Sequence, residues 1–340
     1  METLKHRYSN PPSPQPAPPV GVRGQHRDIC PAFLLSLLLG AILTAGCAGN
    51  PEAGPPSRSV TDDLGRTVSL PPTVERVVTI APNLTEIVFV AGAGHKLVGV
   101  TTADDYPPAV DSLPHFGALP LDFEAIAALK PNLVLANANI NTPRNAETFD
   151  ALGFPILYYS FEDLDEIFQS VRTIGDLLGT AAHANAAADS LEAAVVALRR
   201  TTDQAEDRPL TLFLIDEETL FAFGTESYMH ALIDLAGGRS ATAELQSMRP
   251  ILDEEFILTR KPEVIFGAFG EDYDPARLLA FHPTWDIVPA IRDGRVYSLN
   301  PDLVLRPTPR LLDGARQMAR YLHPALFPTS ETPPSTTDTP

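Results

Sequence analysis

The chain has 340 residues, 34 of them proline, and a formal net charge of −18. Acidic residues outnumber basic ones 43 to 25, which argues against a general nucleic-acid binder, because phosphate contacts need a basic face. Ten prolines fall in residues 1–58 and four in 328–340. The block between them is rich enough in apolar residues, and long enough, for one large or two ordinary domains.

There are two cysteines, Cys30 and Cys47, so the rest of the chain carries neither a disulfide framework nor a cysteine metal site. Between them Pro31–Gly46 is an apolar run of 16 residues, shorter than the roughly 20 that a membrane span needs. Arg23 and Arg27 precede it and small residues end it, the layout of a secretory signal. Leu43-Thr-Ala-Gly-Cys47 resembles a bacterial lipoprotein box, although Thr44 stands where that pattern usually has leucine. The resemblance implies a lipidated Cys47 as the mature N-terminus and a chain anchored at the membrane, in the periplasm or at the cell surface. Residues 1–46 therefore read as n-region and signal, 47–59 as a disordered tether and 328–340 as a disordered tail.

The folded block opens with a β-branched strand at Arg76–Pro82. Asn83-Leu-Thr-Glu86 then has the spacing of a capping box, and Gly92-Ala-Gly94 stops the helix. Strands follow at 96–100, 133–136 and 155–159, with a short helix at 122–131 between them. Short apolar strands alternating with helices indicate a mainly parallel α/β sheet. Leu164, Ile167, Phe168, Val171, Ile174 and Leu178 give residues 163–178 a helical period. From Ala181 to Glu206 the chain has neither Pro nor Gly, which favours one long helix.

After Pro209 the α/β pattern returns as a repeat. Asp122-F-E-A-I-AAL-Lys-Pro131 matches Asp253-E-E-F-I-LTR-Lys-Pro262 at a fixed offset of 131 residues. A second correspondence joins Thr85-Glu86 to Thr225-Glu226 at an offset of 140. Each of these pairs is followed by a helix that ends in glycine. The chain thus divides into an N-terminal lobe at 60–180, a linking helix at 181–207 and a C-terminal lobe at 208–327. The fold class is two α/β lobes with mainly parallel sheets joined by one long backbone helix. Such an architecture places a ligand cleft at the carboxyl ends of the strands.

Arg76-VVTIAPNLTE-Ile87, Gly99-VTTA-Asp104-DYP-Pro108, Asp122–Ala136, Gly224-T-Glu226, Gly294-RVY-Ser298 and Arg306-PTP-Arg310 together resemble the substrate-binding lipoproteins of ABC importers for cobalamin, iron–siderophore and haem. These have the class III periplasmic-binding-protein fold. The resemblance spans residues 60–325. It implies a receptor that closes little on its ligand and docks on a permease dimer, which works with its ATPase, through one glutamate on each lobe. Those glutamates match Glu86 and Glu226, which the residues alone explain better as helix-start carboxylates and which the repeat together with the resemblance assigns to docking. No cofactor is implied. The ligand is a metal chelate, cobalamin or an Fe(III) chelate.

Loops 101–107, 117–122, 136–145, 216–224, 245–251, 267–274 and 300–310 should line the cleft. In them Tyr106, Phe221, Phe223, Phe269 and Tyr273 can stack on a large planar ligand, and Arg249 and Arg306 can pair with its anionic groups. Receptors for cobalamin use tryptophans here, whereas the single Trp285 reads as part of a peripheral helix. The competing readings are a surface-anchored enzyme and a binding module coupled to a sensor. Against the enzyme, there is no G-x-S-x-G, H-E-x-x-H or phosphate-loop motif. The scattered histidines suggest no metal site.

Overall fold

The computed structural model describes residues 57–270 and 272–328. The signal segment, Cys47, the tether up to residue 56 and the tail from residue 329 lie outside the described residues. The N-terminal lobe begins with an antiparallel hairpin, β1 (Arg58–Thr61) and β2 (Thr67–Leu70). Arg58 and Ser59 therefore belong to a strand and not to the tether. Next come β3 (Val77–Thr79), α1 (Pro82–Val90), β4 (Leu97–Thr101), β5 (His115–Phe116) and α2 (Phe123–Leu129). The lobe ends with β6 (Leu133–Asn137), α3 (Asn145–Leu152), β7 (Ile156–Tyr159) and α4 (Leu164–Leu177). Asp163 caps α4 by accepting the Glu166 amide at 2.8 Å.

Helix α5 (Ala181–Thr202) links this lobe to the next. Its 22 residues extend about 33 Å at 1.5 Å each. The C-terminal lobe contains β8 (Leu210–Leu214), α6 (Met229–Leu235), β9 (Arg239–Ser240), α7 (Glu254–Arg260) and β10 (Val264–Gly267). It continues through α8 (Ala276–Phe281), α9 (Pro289–Arg292), β11 (Val296–Ser298), α10 (Pro301–Val304) and α11 (Leu311–Leu322).

Both main sheets are parallel throughout, which agrees with the α/β reading. Their orders are β5-β4-β3-β6-β7 and β9-β8-β10-β11. Val77 pairs with Leu133 in the first, and Thr211 with Val264 in the second, so the sheets correspond strand for strand apart from the extra β5. The 131-residue repeat maps onto α2–β6 and α7–β10. Asp122 accepts the Ala125 amide at 2.9 Å and Asp253 the Phe256 amide at 2.7 Å. Lys130 and Lys261 end the two helices in the left-handed region, at φ 48° and 53°.

Helices α2 and α3 cover one face of the first sheet, over a core that includes Val78, Ile126, Phe149 and Tyr158. Residues between α7 and α9 cover one face of the second, over Leu212, Ile257, Ile265 and Trp285. Trp285 is fully buried and stacked 4.3 Å from His282, in a 3-10 turn. It is a core residue and not part of a peripheral helix. The inner faces share one continuous core through α1, α4, α5, α6 and α11. The lobes are therefore joined by packed side chains as well as by chain.

Candidate functional site

The strands of both lobes end toward one cleft. Asn137 ends β6, Asn139 and Ile140 follow it, and Phe161 follows β7. Opposite them stand Phe223, Ser227, Tyr228, Met248, Arg249, Leu305 and Pro307 of the C-terminal lobe. Gly224 permits this second wall: a Cβ there would lie 2.1 Å from the Ser247 carbonyl oxygen. Its amide instead donates to Met248 O at 3.2 Å, which draws residues 245–249 against 223–228. Across the cleft the Asn83 amide donates to Pro307 O at 3.5 Å. The enclosed volume is about 30 Å³, room for about one water. The two walls stand close together, and the loops around them form the rim of the cleft.

Charged pairs join the two lobes at the rim. Arg310 Nε donates to Glu86 Oε2 at 2.7 Å and Nη2 to Oε1 at 2.5 Å. The same guanidinium lies 4.1 Å from the centre of the Tyr106 ring. Arg306 holds Asp105 in a two-pronged pair, with Nη2 to Oδ2 at 3.0 Å. It also reaches Asp302 at 3.1 Å and Glu86 at 3.8 Å. Hydrogen bonding from Arg306 holds the Asp105 carboxyl below the ordinary aspartate range. The same bond raises the Arg306 guanidinium. Burial pushes neighbouring Asp104 up, although its Oδ2 accepts from the Thr101 amide and hydroxyl at 2.8 and 2.6 Å.

The two glutamates paired by sequence have different surroundings. Glu86 is 2% exposed and held by Arg310, so it offers no free carboxylate. Nor does it stand in a capping box, since α1 starts at Pro82 with Ala81 at its N-cap. Glu226 is exposed in a turn ahead of α6, whose N-cap is Tyr228. Counted from the left-handed glycines that follow α1 and α6, Gly92 and Gly237, the position matching Glu86 is Ala231. The offset of 140 joined residues that are not structurally equivalent, because the β8–α6 connection is longer than β3–α1. The equivalent exposed carboxylates are Glu124 and Glu255. Each is the second residue of its helix, next to the repeated Asp cap. The signal that identifies them is the fixed 131-residue offset.

The remaining expected ligand contacts divide. Tyr106 and Arg306 stand on the rim, and exposed Arg249 lines the cavity. Phe223 also lines it, but is 5% exposed and packs on Phe213 and Tyr228. Phe221 is half-buried and bridges to Ile251 through the backbone. Phe269 and Tyr273 pack with their ring centres 4.4 Å apart and tilted, against the outer core of the C-terminal lobe, and do not line the cavity. Burial and nearby Glu217 raise the Tyr273 hydroxyl.

A larger hollow of about 640 Å³ lies between β1, β7, α4 and α5. Only the N-terminal lobe and the linking helix line it. Its charged groups are largely engaged, Asp62 by Arg66 and Arg172 by Asp189 and Glu192. Among the described residues no group of three or more His, Cys, Asp or Glu side chains could hold a metal ion.

Residues 77–303 match the model of a family described as periplasmic binding protein. The chain is 26% identical over 309 residues to an uncharacterized ABC transporter substrate-binding lipoprotein, YvrC, of Bacillus subtilis, covering 86% of this chain and 96% of that one. The crystal structure of the periplasmic vitamin B12 binding protein BtuF of Vibrio cholerae superposes with a TM-score of 0.66 at 28% identity. That match covers 74% of this chain and 98% of the other. The apo haem-binding protein RhuT of a Roseiflexus species superposes at 0.65 with 26% identity, over 74% and 98%. With two corresponding lobes, strand ends meeting in one cleft and the matched sequence running through both, the chain belongs to the periplasmic binding protein family.

Proposed function

We propose that this chain is the lipid-anchored, extracytoplasmic receptor of an ABC importer and delivers a metal chelate to the permease. The observation that carries the reading is the convergence of both lobes' strand ends on one interlobe cleft. The relatives supply its chemistry: one is named as an ABC substrate-binding lipoprotein, others as binding vitamin B12 or haem. A corrinoid is the first ligand and an Fe(III) chelate or haem the second. The rim supports both, since Tyr106 presents an aromatic face while Arg306 and Arg249 present guanidinium groups. Lipidation at Cys47 would hold the receptor beside its transporter.

For docking, a two-fold permease dimer calls for corresponding carboxylates on the two lobes. Glu124 and Glu255 meet that requirement: they are exposed, related by the repeat and fixed at helix starts. The test of the receptor reading is calorimetric titration of the purified chain with cyanocobalamin, ferrichrome and haemin. Saturable one-to-one binding of one of them is expected. Absence of binding to all three overturns the ligand class.

A further inference from the structure

We propose that Leu119 and Ile251 are paired apolar anchors by which the two lobes seat on a two-fold permease dimer, one on each subunit. That the partner is a permease rests on the receptor reading; the pairing of the two side chains stands on the structure. Single exposed apolar side chains are common. These two differ in degree and in place. At 97% and 73% they are the most exposed large apolar side chains among the described residues. One stands on each lobe, and the repeat brings them to the same corner. At the offset of 131, Leu119-Pro120 matches Pro250-Ile251. Each lobe thus presents one large apolar side chain beside a proline. Directly after it come the Asp that caps α2 or α7 and the exposed Glu124 or Glu255.

Both corners are held by backbone hydrogen bonds. Around Leu119 the Asp122 amide donates to Gly117 O at 3.0 Å, and Ala118 bridges to Leu121. Beside Ile251 the Ala222 amide donates to Pro250 O at 3.0 Å, and the Leu252 amide to Leu220 O at 3.1 Å. A side chain presented on fixed backbone loses little freedom when a partner covers it. At the second corner Glu254 is engaged by His282 and by the Thr284 hydroxyl, both at 3.1 Å. Glu255 is therefore the counterpart of Glu124 in charge as well as in register. A dimer of identical chains offers the same socket twice, and a single-chain receptor fills both only by carrying the same anchor twice. The repeat supplies that duplication. The partner that fits is an apolar socket with a basic group beside it on each subunit. Charge then steers the encounter, and the covered apolar contact slows release.

The test follows binding of the full chain to its cognate permease–ATPase complex in lipid nanodiscs by surface plasmon resonance. Leu119→Ser and Ile251→Ser should each weaken binding roughly tenfold or more through faster dissociation, the factor that full burial of such a side chain supplies. The corners lie on different lobes, so the losses should multiply in the double variant. They should persist at about 1 M salt, whereas the loss from Glu124→Gln with Glu255→Gln should fade there as screening removes the charge contribution. Urea midpoints and titrations with cyanocobalamin, ferrichrome and haemin should match the parent. A second measurement locates the anchors. With Cys30 and Cys47 replaced by serine, benzophenone at Leu119→Cys and at Ile251→Cys should cross-link the same permease segment, because the two subunits are identical. Affinity within about twofold of the parent in both single variants, or capture of different segments from the two sites, overturns the proposal. A loss of ligand affinity without loss of transporter binding overturns it too, by making these side chains ligand contacts. Failure of the parent to bind the complex at all overturns the receptor reading and the proposal together, so the two failures are told apart by the parent alone.

Discussion

Glu86 and Arg310 lie 224 residues apart in sequence and form a two-pronged ion pair across the cleft, with the carboxylate almost wholly buried. A buried charge is stable only with its partner. Removing one member commonly destabilises by about 3–5 kcal/mol. Arg310→Met should therefore lower the urea midpoint markedly. Arg310→Lys should recover only part of the loss, because an ammonium lacks the fork and the planar face over Tyr106. Unfolding curves for the three proteins check this. A wild-type midpoint for Arg310→Met would contradict it.

Asp105 fixes the pH response of the rim. Arg306 holds its carboxyl below the ordinary aspartate range. The sign follows from linkage: a depressed carboxyl contributes fully above its unfolded pKa, about 3.9, and loses the contribution as pH falls through the folded value. Arg306 stays charged throughout. The stability contributed by this pair should therefore hold constant from about pH 8 to 5 and be lost only in acid below the ordinary aspartate range. Because the pair is partly exposed, salt should weaken it. Urea midpoints of the parent and Asp105→Asn across pH and at about 0.05 and 1 M salt test both points, and a difference that disappears between about pH 5 and 7 would assign control to a different group.

Glu124→Arg combined with Glu255→Arg should abolish uptake while leaving ligand affinity unchanged and lowering the unfolding midpoint only slightly, by the about 0.3–1 kcal/mol per site that a helix-start charge contributes. Both side chains are exposed, and the neighbouring Asp caps remain in place. Transport into proteoliposomes carrying the cognate permease and ATPase is the measurement. Full uptake by the double variant would rule out this docking pair.

Phe223 and Arg249 line the same small cavity but should respond differently. Phe223→Ala empties a site packed against Phe213 and Tyr228 and should cost about 3–5 kcal/mol of stability. Arg249→Ala removes an exposed side chain and should change stability by no more than about 0.5 kcal/mol. Urea unfolding separates them. Equal losses would show that Arg249 supports the fold rather than only the rim.

Cys47→Ser should release the mature chain from membranes into the soluble fraction after detergent-free lysis. Continued membrane association would place the anchor elsewhere.

The sequence by itself determined the α/β alternation, the long helix and the repeat, because each is written in local signals: β-branched runs, Asp caps, a Pro/Gly-free stretch. The 131-residue offset carried through to the backbone, down to the paired left-handed lysines Lys130 and Lys261. The tertiary structure alone decided what the charged residues do. Thr85-Glu86 and Thr225-Glu226 look alike as strings, yet one lies inside a buried helix and the other in an exposed turn. Asp105 and Arg306 are 201 residues apart, and no local pattern predicts that they meet. Likewise Trp285 reads as surface from its polar neighbours and is buried because His282 and the second sheet close over it. Periodicity reports which face of an element is apolar. Which charges face one another across a cleft depends on how two lobes pack, and that is set by the shared core through α1, α4, α5, α6 and α11.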